Sequence, residues 1–309
     1  MHQEITIKTK STNQIVVLIK IMAVMVTGVA GEQSLSAATM EDNPQNIAAP
    51  APAAKVGYNK LVFYDDFDSL STIDVNGTEK PGFKWYVDRP VWGNGITEPS
   101  AYSISNSVLT VSSTGNSAGW AISSFSPKGN VGHSFNYGYF EARIHFNPTL
   151  GSTSKDWPAW WSLSTHHSKL NNMDHWAELD FFEAYTGGHA DYTGAFVGSI
   201  HDWADGSKTH FQNSNNWMPL SKTTDFNEWH TYGCLWRPGE VTWCFDEVPL
   251  MTQTYSAMAV PVPPANGTTT PTPAGAFSIL DKESEGMLLI LGSGPEWPMY
   301  VDWVRVWQK

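Results

Sequence analysis

Three acidic residues lie within an apolar and aromatic run near the middle of the 309-residue chain. The run reads W-A-E-L-D-F-F-E-A-Y from Trp176 to Tyr185, and its acids are Glu178, Asp180 and Glu183. Carboxylates are costly to bury without partners, and a solvated surface would not interleave them with Trp, Leu and Phe. The chain must therefore fold so that these acids share an environment that accommodates them.

A bulged strand meets this requirement. On a helix the three acids would point in widely different directions, because successive side chains turn by about 100°. On a strand Trp176, Glu178 and Asp180 share one face, since side chains alternate, and Glu183 is one residue out of phase. A β-bulge at Phe181-Phe182 would absorb the extra residue and return Glu183 to that face. The apolar residues between the acids would then point into the core.

Two acids on one face suggest glycosidase chemistry. Glu178 and Glu183 would be about 13 Å apart at Cα, and long side chains on a curved sheet can lean together. Their carboxyls could then approach the roughly 5–5.5 Å that a retaining double displacement requires. Asp180 between them would separate their pKa values, so that one acid keeps its proton. The structural alternatives are a Ca²⁺ site and an acidic surface strand.

The rest of the chain also indicates an all-β fold. Short alternating or aromatic-rich runs are separated by Gly, Asn, Pro and Ser, and no run keeps a helical period. Such a pattern is typical of a sandwich or a barrel. The length of 309 residues allows one large all-β domain or two small domains.

The N-terminus predicts an export signal. Lys8 and Lys10 precede an apolar stretch over 15–30 that is short for a membrane span and contains Lys20. We therefore predict a signal peptide over residues 1–38, with cleavage after Ala30 or Ala38, a secreted or periplasmic protein and no membrane contact once the signal is removed. A retained signal anchor is the alternative. Residues 39–57 read as a Pro/Ala-rich linker, which leaves residues 58–309 as the folded domain.

Cys234 and Cys244 are the two cysteines of the chain, and they flank the turn-forming sequence R-P-G-E. Antiparallel pairing about that turn would bring the two sulfurs nearly opposite each other. In an exported chain this predicts a disulfide, with two free buried thiols as the alternative.

Composition narrows the class of ligand. The net charge of −12 would repel a phosphate backbone, so we expect no nucleic-acid partner. The 15 tryptophans serve either as core filler or as flat faces that stack on sugar rings. A neutral polysaccharide fits this composition best, and we expect the protein to act on it as a monomer.

Several motifs, in order along the chain, resemble the catalytic domain of family 16 glycoside hydrolases. The central motif is E-x-D-x-x-E, in the bulged form that laminarinases and agarases carry. The other motifs are spread over residues 61–308: L-V-F-Y-D-D-F-D (Leu61–Asp68), W-G-N-G (Trp92–Gly95), Y-G-Y-F-E-A-R-I (Tyr137–Ile144), W-P-A-W-W-S-L (Trp157–Leu163), 226–236 and M-Y-V-D-W-V-R-V (Met299–Val306). The segment over 164–175, which enters the acidic strand directly, has no counterpart in the family pattern.

The resemblance implies a concanavalin-like β-jelly-roll, a sandwich of two curved antiparallel sheets with a concave sugar-binding cleft. It also implies roles for the three acids. Glu178 would be the nucleophile, Glu183 the general acid/base, and Asp180 the residue that orients and tunes the nucleophile. The chemistry would require no cofactor.

The same resemblance implies further site residues. Trp176, Trp161 and Trp92 match positions that contact sugar in the cleft, and each has core packing as its alternative. His201 matches a strand position from which a His often faces the sugar. Asp302 aligns with an Asp that binds a structural Ca²⁺ on the convex side in some members, and a plain surface carboxylate is the alternative.

Arginine content separates the substrate classes. Sulfated galactans need cationic groups for their sulfates, most often Arg. The chain has four Arg, and only Arg89 lies outside the general family positions. We therefore expect a neutral β-glucan, with β-1,3 or mixed β-1,3/1,4 linkages, ahead of agarose or another neutral galactan. A transglycosylase and a non-catalytic sugar-binding module remain as alternatives to a hydrolase.

Overall fold

The computed structural model shows a β-sandwich. It describes residues 47–87, 101–112, 120–147, 158–170, 175–184, 195–203, 210–213, 216–221, 223–256, 259–262, 276–293 and 298–309. Within these ranges, antiparallel strands dominate and form two large sheets. The predicted all-β class and jelly-roll sandwich are therefore confirmed.

The first sheet places its strands in the order β17-β16-β15-β9-β20-β5-β4, and β1 also pairs with β20. Their bounds are β1 Lys60–Asp65, β4 Tyr102–Ser105, β5 Val108–Val111, β9 Gly138–Phe146, β15 His230–Arg237, β16 Glu240–Phe245, β17 Val248–Thr254 and β20 Met299–Gln308.

The second sheet has the order β18-β13-β12-β11-β10-β19-β6-β3-β2, and β14 pairs with the first three residues of β12. Its strands are β2 Ile73–Asp74, β3 Trp85–Tyr86, β6 Trp120–Ser123, β10 Ala159–Ser164, β11 Trp176–Glu183, β12 Ala195–Trp203, β13 His210–Asn213, β14 Trp217–Pro219, β18 Ala259–Val262 and β19 Met287–Ser293. A separate hairpin joins β7 (Phe125–Ser126) to β8 (Val131–Gly132).

Helices are few and short in these ranges. They are α1 over Ala51–Ala54, α2 over Thr165–Leu170 and two 3₁₀ helices over Leu70–Thr72 and Ala276–Lys282. No helix in the described part of the chain is long and apolar enough to cross a membrane.

The main core lies between the two sheets. Alternation sends one set of side chains from each strand inward, so that Phe140 of the first sheet stacks on Phe181 of the second at 5.1 Å between ring centroids. Trp160, Trp236 and Trp243 are fully buried in this layer. These tryptophans therefore pack in the core. The opposite face of the second sheet, which points away from this core, carries the three acids and is called the site face below.

The folded chain begins earlier than the predicted linker boundary at residue 57. Helix α1 buries Pro52 and Ala53, and Ala53 packs with Tyr58, Tyr139 and Trp307 in a cluster on the outside of the first sheet. The linker prediction therefore needs correction over residues 47–57, because its alanines pack against aromatic side chains that lie far away in sequence. The predicted signal peptide lies outside the described residues.

The predicted disulfide is wrong. Cys234 and Cys244 are free and buried. In the hairpin, Cys234 pairs with Trp243 and Cys244 with Gly233, a register one residue away from direct opposition. Because side chains alternate along a strand, the one-residue offset sends the thiols to opposite faces of the sheet. The alternative of two buried thiols is the one the structure shows.

Candidate active site

Strand β11 carries the three acids between β10 and β12. Its register pairs Trp176 with Trp203, Glu178 with His201 and Asp180 with Ser199. Directly paired residues in neighbouring strands point to the same face of a sheet. The site face therefore brings Glu178 and Asp180 beside His201, as the sequence predicted for all three.

The predicted bulge is confirmed. Between Asp180 and Glu183 the pairing with β12 shifts by one residue, since Glu183 opposes Val197. The pairing with β10 shifts at the same point. Phe181 and Phe182 both point into the core, so two consecutive side chains face inward where a regular strand would have one. Glu183 thereby returns to the face of the other acids.

The bulge is supported from the opposite sheet. The indole Nε1 of Trp243, on β16, donates a hydrogen bond of 2.7 Å to the backbone carbonyl of Asp180. Gly198 on β12 leaves room for this indole, because a Cβ at that position would lie 2.3 Å from Nε1. Nothing local in the sequence marks these two residues, since their contact joins different sheets.

A nitrogen atom lies close to a carboxylate oxygen of each of two acids. Trp203 donates from Nε1 to Oε2 of Glu178 at 3.0 Å, and His201 Nε2 lies 2.8 Å from Oδ2 of Asp180. Asp180 is 1% exposed and Glu183 is 7% exposed, so both acids are withdrawn from water. Trp203 was missed in the sequence, although it lies two residues after His201 and alternation alone would have placed it on the same face.

Burial has the largest effect on the pKa values of Glu178 and Asp180, which together with Glu183 form a row of acids on this face. It raises the pKa of Glu178 to about 7, a shift to which Glu183 adds and which His201 and the Trp203 hydrogen bond oppose. It also holds the pKa of Asp180 well above its ordinary range, with the charge of Glu178 acting in the same direction and a hydrogen bond with Glu183 acting against it. Neighbouring carboxylates in a dry site cannot all ionise near neutral pH. The row therefore retains protons under those conditions.

Two of the acids and His201 form a cluster that could hold a metal ion, the one such cluster within the described ranges. Atoms of Glu178, Asp180 and His201 lie within 4.8 Å of one another. Ca²⁺ takes six to eight oxygen ligands, and two carboxylates with an imidazole fall short of that shell. The donor chemistry therefore does not fit the calcium alternative at this position.

Trp176 occupies a closed position on the site face. It is 5% exposed, and its ring stacks on His167 of α2 at 3.8 Å with an interplanar angle of 2°. Trp203 lies parallel to it at 5.6 Å. This differs from the predicted sugar platform, because helix α2, from the segment without a family counterpart, places an imidazole on the indole.

Two other predicted aromatic contacts have different outcomes. Trp161 pairs with Asp180 across β10 and β11, so it lies on the site face directly beside the acids, where it is half-buried. Its contact with sugar stays a prediction. Trp92 lies outside the described residues.

Asp302 lies far from the acids, on the first sheet. It occupies an irregularity in β20, where the pairing with β9 shifts between Val301 and Trp303. Its Oδ2 accepts a hydrogen bond from Nη1 of Arg143, and the two side chains form an ion pair. The protein thus supplies its own cation to this carboxylate, and calcium binding there stays a prediction.

Known proteins resemble this chain in sequence. The model of glycosyl hydrolases family 16 matches residues 92–275. The endo-1,3-1,4-beta-glycanase ExsH of Rhizobium meliloti (strain 1021) is 28% identical over 189 residues, which are 57% of this chain and 34% of that protein. EglC, an endo-1,3-1,4-beta-glycanase of the same organism, is 25% identical over 208 residues, or 60% of this chain and 40% of EglC. The matches thus span well under half the length of both relatives.

Solved structures resemble it in fold. A laminarinase from Flavobacterium sp. UMI-01 aligns with a TM-score of 0.52 at 18% identity, covering 81% of this chain and all of that one. The catalytic domain of a laminarinase from Thermotoga petrophila RKU-1 aligns with a TM-score of 0.51 at 17% identity, covering 81% and 98%. Identities this low speak to the shared fold alone. The family model, by contrast, covers more than half of the sequence and includes the acidic strand, and on that basis the chain belongs to glycosyl hydrolases family 16.

Proposed function

We propose that this protein is an endo-acting glycosidase that hydrolyses a neutral β-glucan, with β-1,3 or mixed β-1,3/1,4 linkages, and retains the anomeric configuration. The observation that carries the proposal is the set of three acids on one face of a bulged strand, where Asp180 and Glu183 are buried and Glu178 is half-buried. Two relatives that are named as endo-1,3-1,4-beta-glycanases support the choice of glucan, and the scarcity of arginine argues against a sulfated substrate.

Glu178 is the nucleophile in this proposal. The charge of His201 and the hydrogen bond from Trp203 Nε1 both lower its pKa against the effect of burial, and both kinds of interaction stabilise a carboxylate. An ionised Glu178 attacks the anomeric carbon and forms a glycosyl-enzyme bond, which a water molecule then hydrolyses.

Glu183 is the general acid and base. It lies on the same face as Glu178 and close enough to raise the pKa of that carboxyl. In the first step it gives its proton to the leaving glycosidic oxygen, and in the second step it accepts a proton from the attacking water.

Asp180 positions the nucleophile and holds a proton between the two glutamates. Its pKa lies well above the ordinary value because it is buried beside Glu178. A protonated Asp180 can donate to an ionised Glu178 without adding a second negative charge, so it lets the nucleophile ionise in a dry site.

A polysaccharide panel tests the proposal. Purified protein is incubated with laminarin, lichenan and agarose, and products are sized over time, with the first-formed anomer identified by NMR. We expect a ladder of intermediate products of β-configuration from laminarin or lichenan. Hydrolysis of agarose alone would replace the glucan with a galactan, and glycosyl transfer to an added acceptor sugar in preference to water would make the protein a transglycosylase.

Two variants separate catalysis from binding. Glu178→Gln should abolish turnover while the protein stays folded and still binds the polysaccharide in affinity gel electrophoresis. Glu285→Gln, which changes an acid of the turn that contacts α2, is the matched control and should keep turnover. Full activity of Glu178→Gln would show that the roles are assigned wrongly, and binding without any turnover by the unmodified protein would make it a sugar-binding module.

Export is part of the proposal, since a polysaccharide is too large to enter a cell intact. The basic and apolar start of the chain supports it. Fractionation of producing cells, with N-terminal sequencing of the mature protein, should find a chain that begins near residue 31 or 39. A full-length chain in the membrane fraction would favour the retained anchor.

A further inference from the structure

Trp217 differs from the other tryptophans whose side chains are described. It is 38% exposed and is the one tryptophan among the exposed large apolar side chains. Exposed indole surface is costly to leave in water, and flat apolar rings are the surfaces on which sugar rings stack.

The register places Trp217 on the face that carries the acids. Glu183 of β11 opposes Val197 of β12, and Val197 opposes Trp217 of β14. The next pair along the two strands, Phe196 with Met218, is buried in the main core. Alternation therefore directs Val197 and Trp217 to the opposite side, the site face.

The spacing suits a glycan that crosses the strands. Neighbouring strands are about 4.8 Å apart, so the backbone at Trp217 lies about 9.6 Å from the backbone at Glu183. A disaccharide unit spans a similar distance. A chain held with its scissile bond at Glu183 and running across β12 would place another of its sugars over Trp217.

Polar groups lie next to this ring. Asn216 donates from Nδ2 to Oγ of Ser199 at 3.3 Å, and Ser199 opposes Asp180 in the sheet. The half-buried Asn216 amide, which the buried Ser199 hydroxyl helps to orient, supplies a partner for sugar hydroxyls beside the indole. Sites for sugars and other small ligands commonly combine apolar surface with a few polar groups in this way.

A second aromatic ring on the site face, that of Trp176, is closed. Trp176 is covered by His167, and the helix that carries His167 is held in place by two contacts to the turn after the second 3₁₀ helix. Ser164 Oγ donates to Oε2 of Glu283 at 2.6 Å, and Lys169 Nζ donates to Oε2 of Glu285 at 2.6 Å. A sugar can stack on Trp176 only if this anchored helix moves away.

From these observations we infer that Trp217 is a sugar-stacking platform of the active site, which binds a sugar of the substrate about two strand spacings from the scissile bond. The inference rests on the proposed function and adds a residue that selects for substrate length. Because Trp217 contacts neither reacting atom, its binding energy is the same in the ground state and in the transition state. Loss of the ring should therefore raise KM and leave kcat nearly unchanged.

The test measures KM and kcat on oligosaccharides of increasing length, prepared by partial digestion of the polysaccharide that the unmodified protein cleaves. Trp217→Ala should raise KM roughly tenfold, the factor that about 1.4 kcal/mol of lost stacking produces, for oligosaccharides long enough to reach the ring. Shorter substrates should show no change. Trp217→Phe keeps a flat ring and should recover most of the loss. Val248→Ala, which trims another exposed side chain on the first sheet, is the control and should change neither constant.

An unchanged KM on every substrate, or the same increase for short and long substrates, would overturn the inference while leaving the hydrolase intact. If the unmodified protein cleaves no polysaccharide, the proposed function fails by itself. Affinity gel electrophoresis in laminarin, lichenan and agarose then decides: retardation that Trp217→Ala abolishes supports the platform, and equal mobility of the two proteins in all three gels refutes it.

Discussion

Replacement of the nucleophile should stabilise the protein. In the folded state burial raises the pKa of Glu178 from its ordinary value of 4.5 to about 7. Because the unfolded chain releases this proton more readily, ionisation of Glu178 destabilises the folded state. The penalty is absent below about pH 4.5 and grows as the pH rises toward 7. Glu178→Gln keeps the shape of the side chain and removes the charge, so it removes the penalty.

The magnitude follows from the shift. The difference between 4.5 and about 7 corresponds to about 3 kcal/mol at high pH, since one pKa unit is worth roughly 1.4 kcal/mol. Part of this is lost in the variant, because Trp203 Nε1 then donates to a neutral amide instead of a carboxylate. Protons also redistribute between Asp180 and Glu183. A net gain of about 1–2 kcal/mol remains, which is roughly 2–8 °C in Tm for a domain of this size.

Thermal unfolding at a series of pH values from 4 to 8 measures the effect. The Tm difference between Glu178→Gln and the unmodified protein should be close to zero at pH 4 and should reach its full size above pH 7. Glu285→Gln is a control whose effect has the opposite sign. The hydrogen bond from Lys169 lowers the pKa of Glu285, so ionised Glu285 stabilises the folded state at neutral pH, and this stabilisation is lost as the pH falls. A Tm difference that does not vary with pH, or a variant that is less stable at pH 8, would refute the conclusion that the folded protein disfavours ionisation of Glu178.

Two further predictions concern the surroundings of the acids, and a third concerns the two cysteines. Gly198→Ala should lower stability by about 2–4 kcal/mol in denaturant unfolding and reduce kcat, because its Cβ would displace Trp243 from its hydrogen bond at the bulge; wild-type stability would contradict this. Trp203→Phe should move the acidic limb of the pH profile of kcat/KM to higher pH. The hydrogen bond from Trp203 lowers the pKa of Glu178, so its loss raises that pKa, and an unmoved limb would argue against Glu178 as the ionised group. Both thiols should react with a maleimide only after unfolding, without prior reduction, since they are free and buried; a requirement for reductant would show a disulfide.

The acidic strand was predictable because its information is local. The two-residue period of a strand, set against the positions of the three acids, requires one extra residue before Glu183, and the structure has it between Asp180 and Glu183. The same reasoning applied to β12 identifies His201, and it would have identified Trp203. Alternation thus reveals which residues share a face, whatever the rest of the fold does.

Local patterns fail where a long-range contact decides the outcome. Nothing in the sequence near Trp176 shows that helix α2 stacks His167 on it, and nothing near Trp217 shows that its ring stays exposed. The disulfide prediction fails for a different reason, which is local. The turn sequence predicts a hairpin, but the pairing of Arg237 with Glu240 fixes a register one residue away from the one that a disulfide needs.

The bulge itself shows why the acidic motif cannot work apart from the whole sandwich. An extra residue in a strand disrupts the ladder of hydrogen bonds, and a buried carbonyl without a donor costs about 1–3 kcal/mol. The carbonyl of Asp180 finds its donor in Trp243, which belongs to the opposite sheet. The indole reaches it because Gly198, on the neighbouring strand, has no side chain. The alignment of Glu183 with Glu178 therefore depends on the spacing between the two sheets, and a change in core packing should reach the reacting groups through this one hydrogen bond.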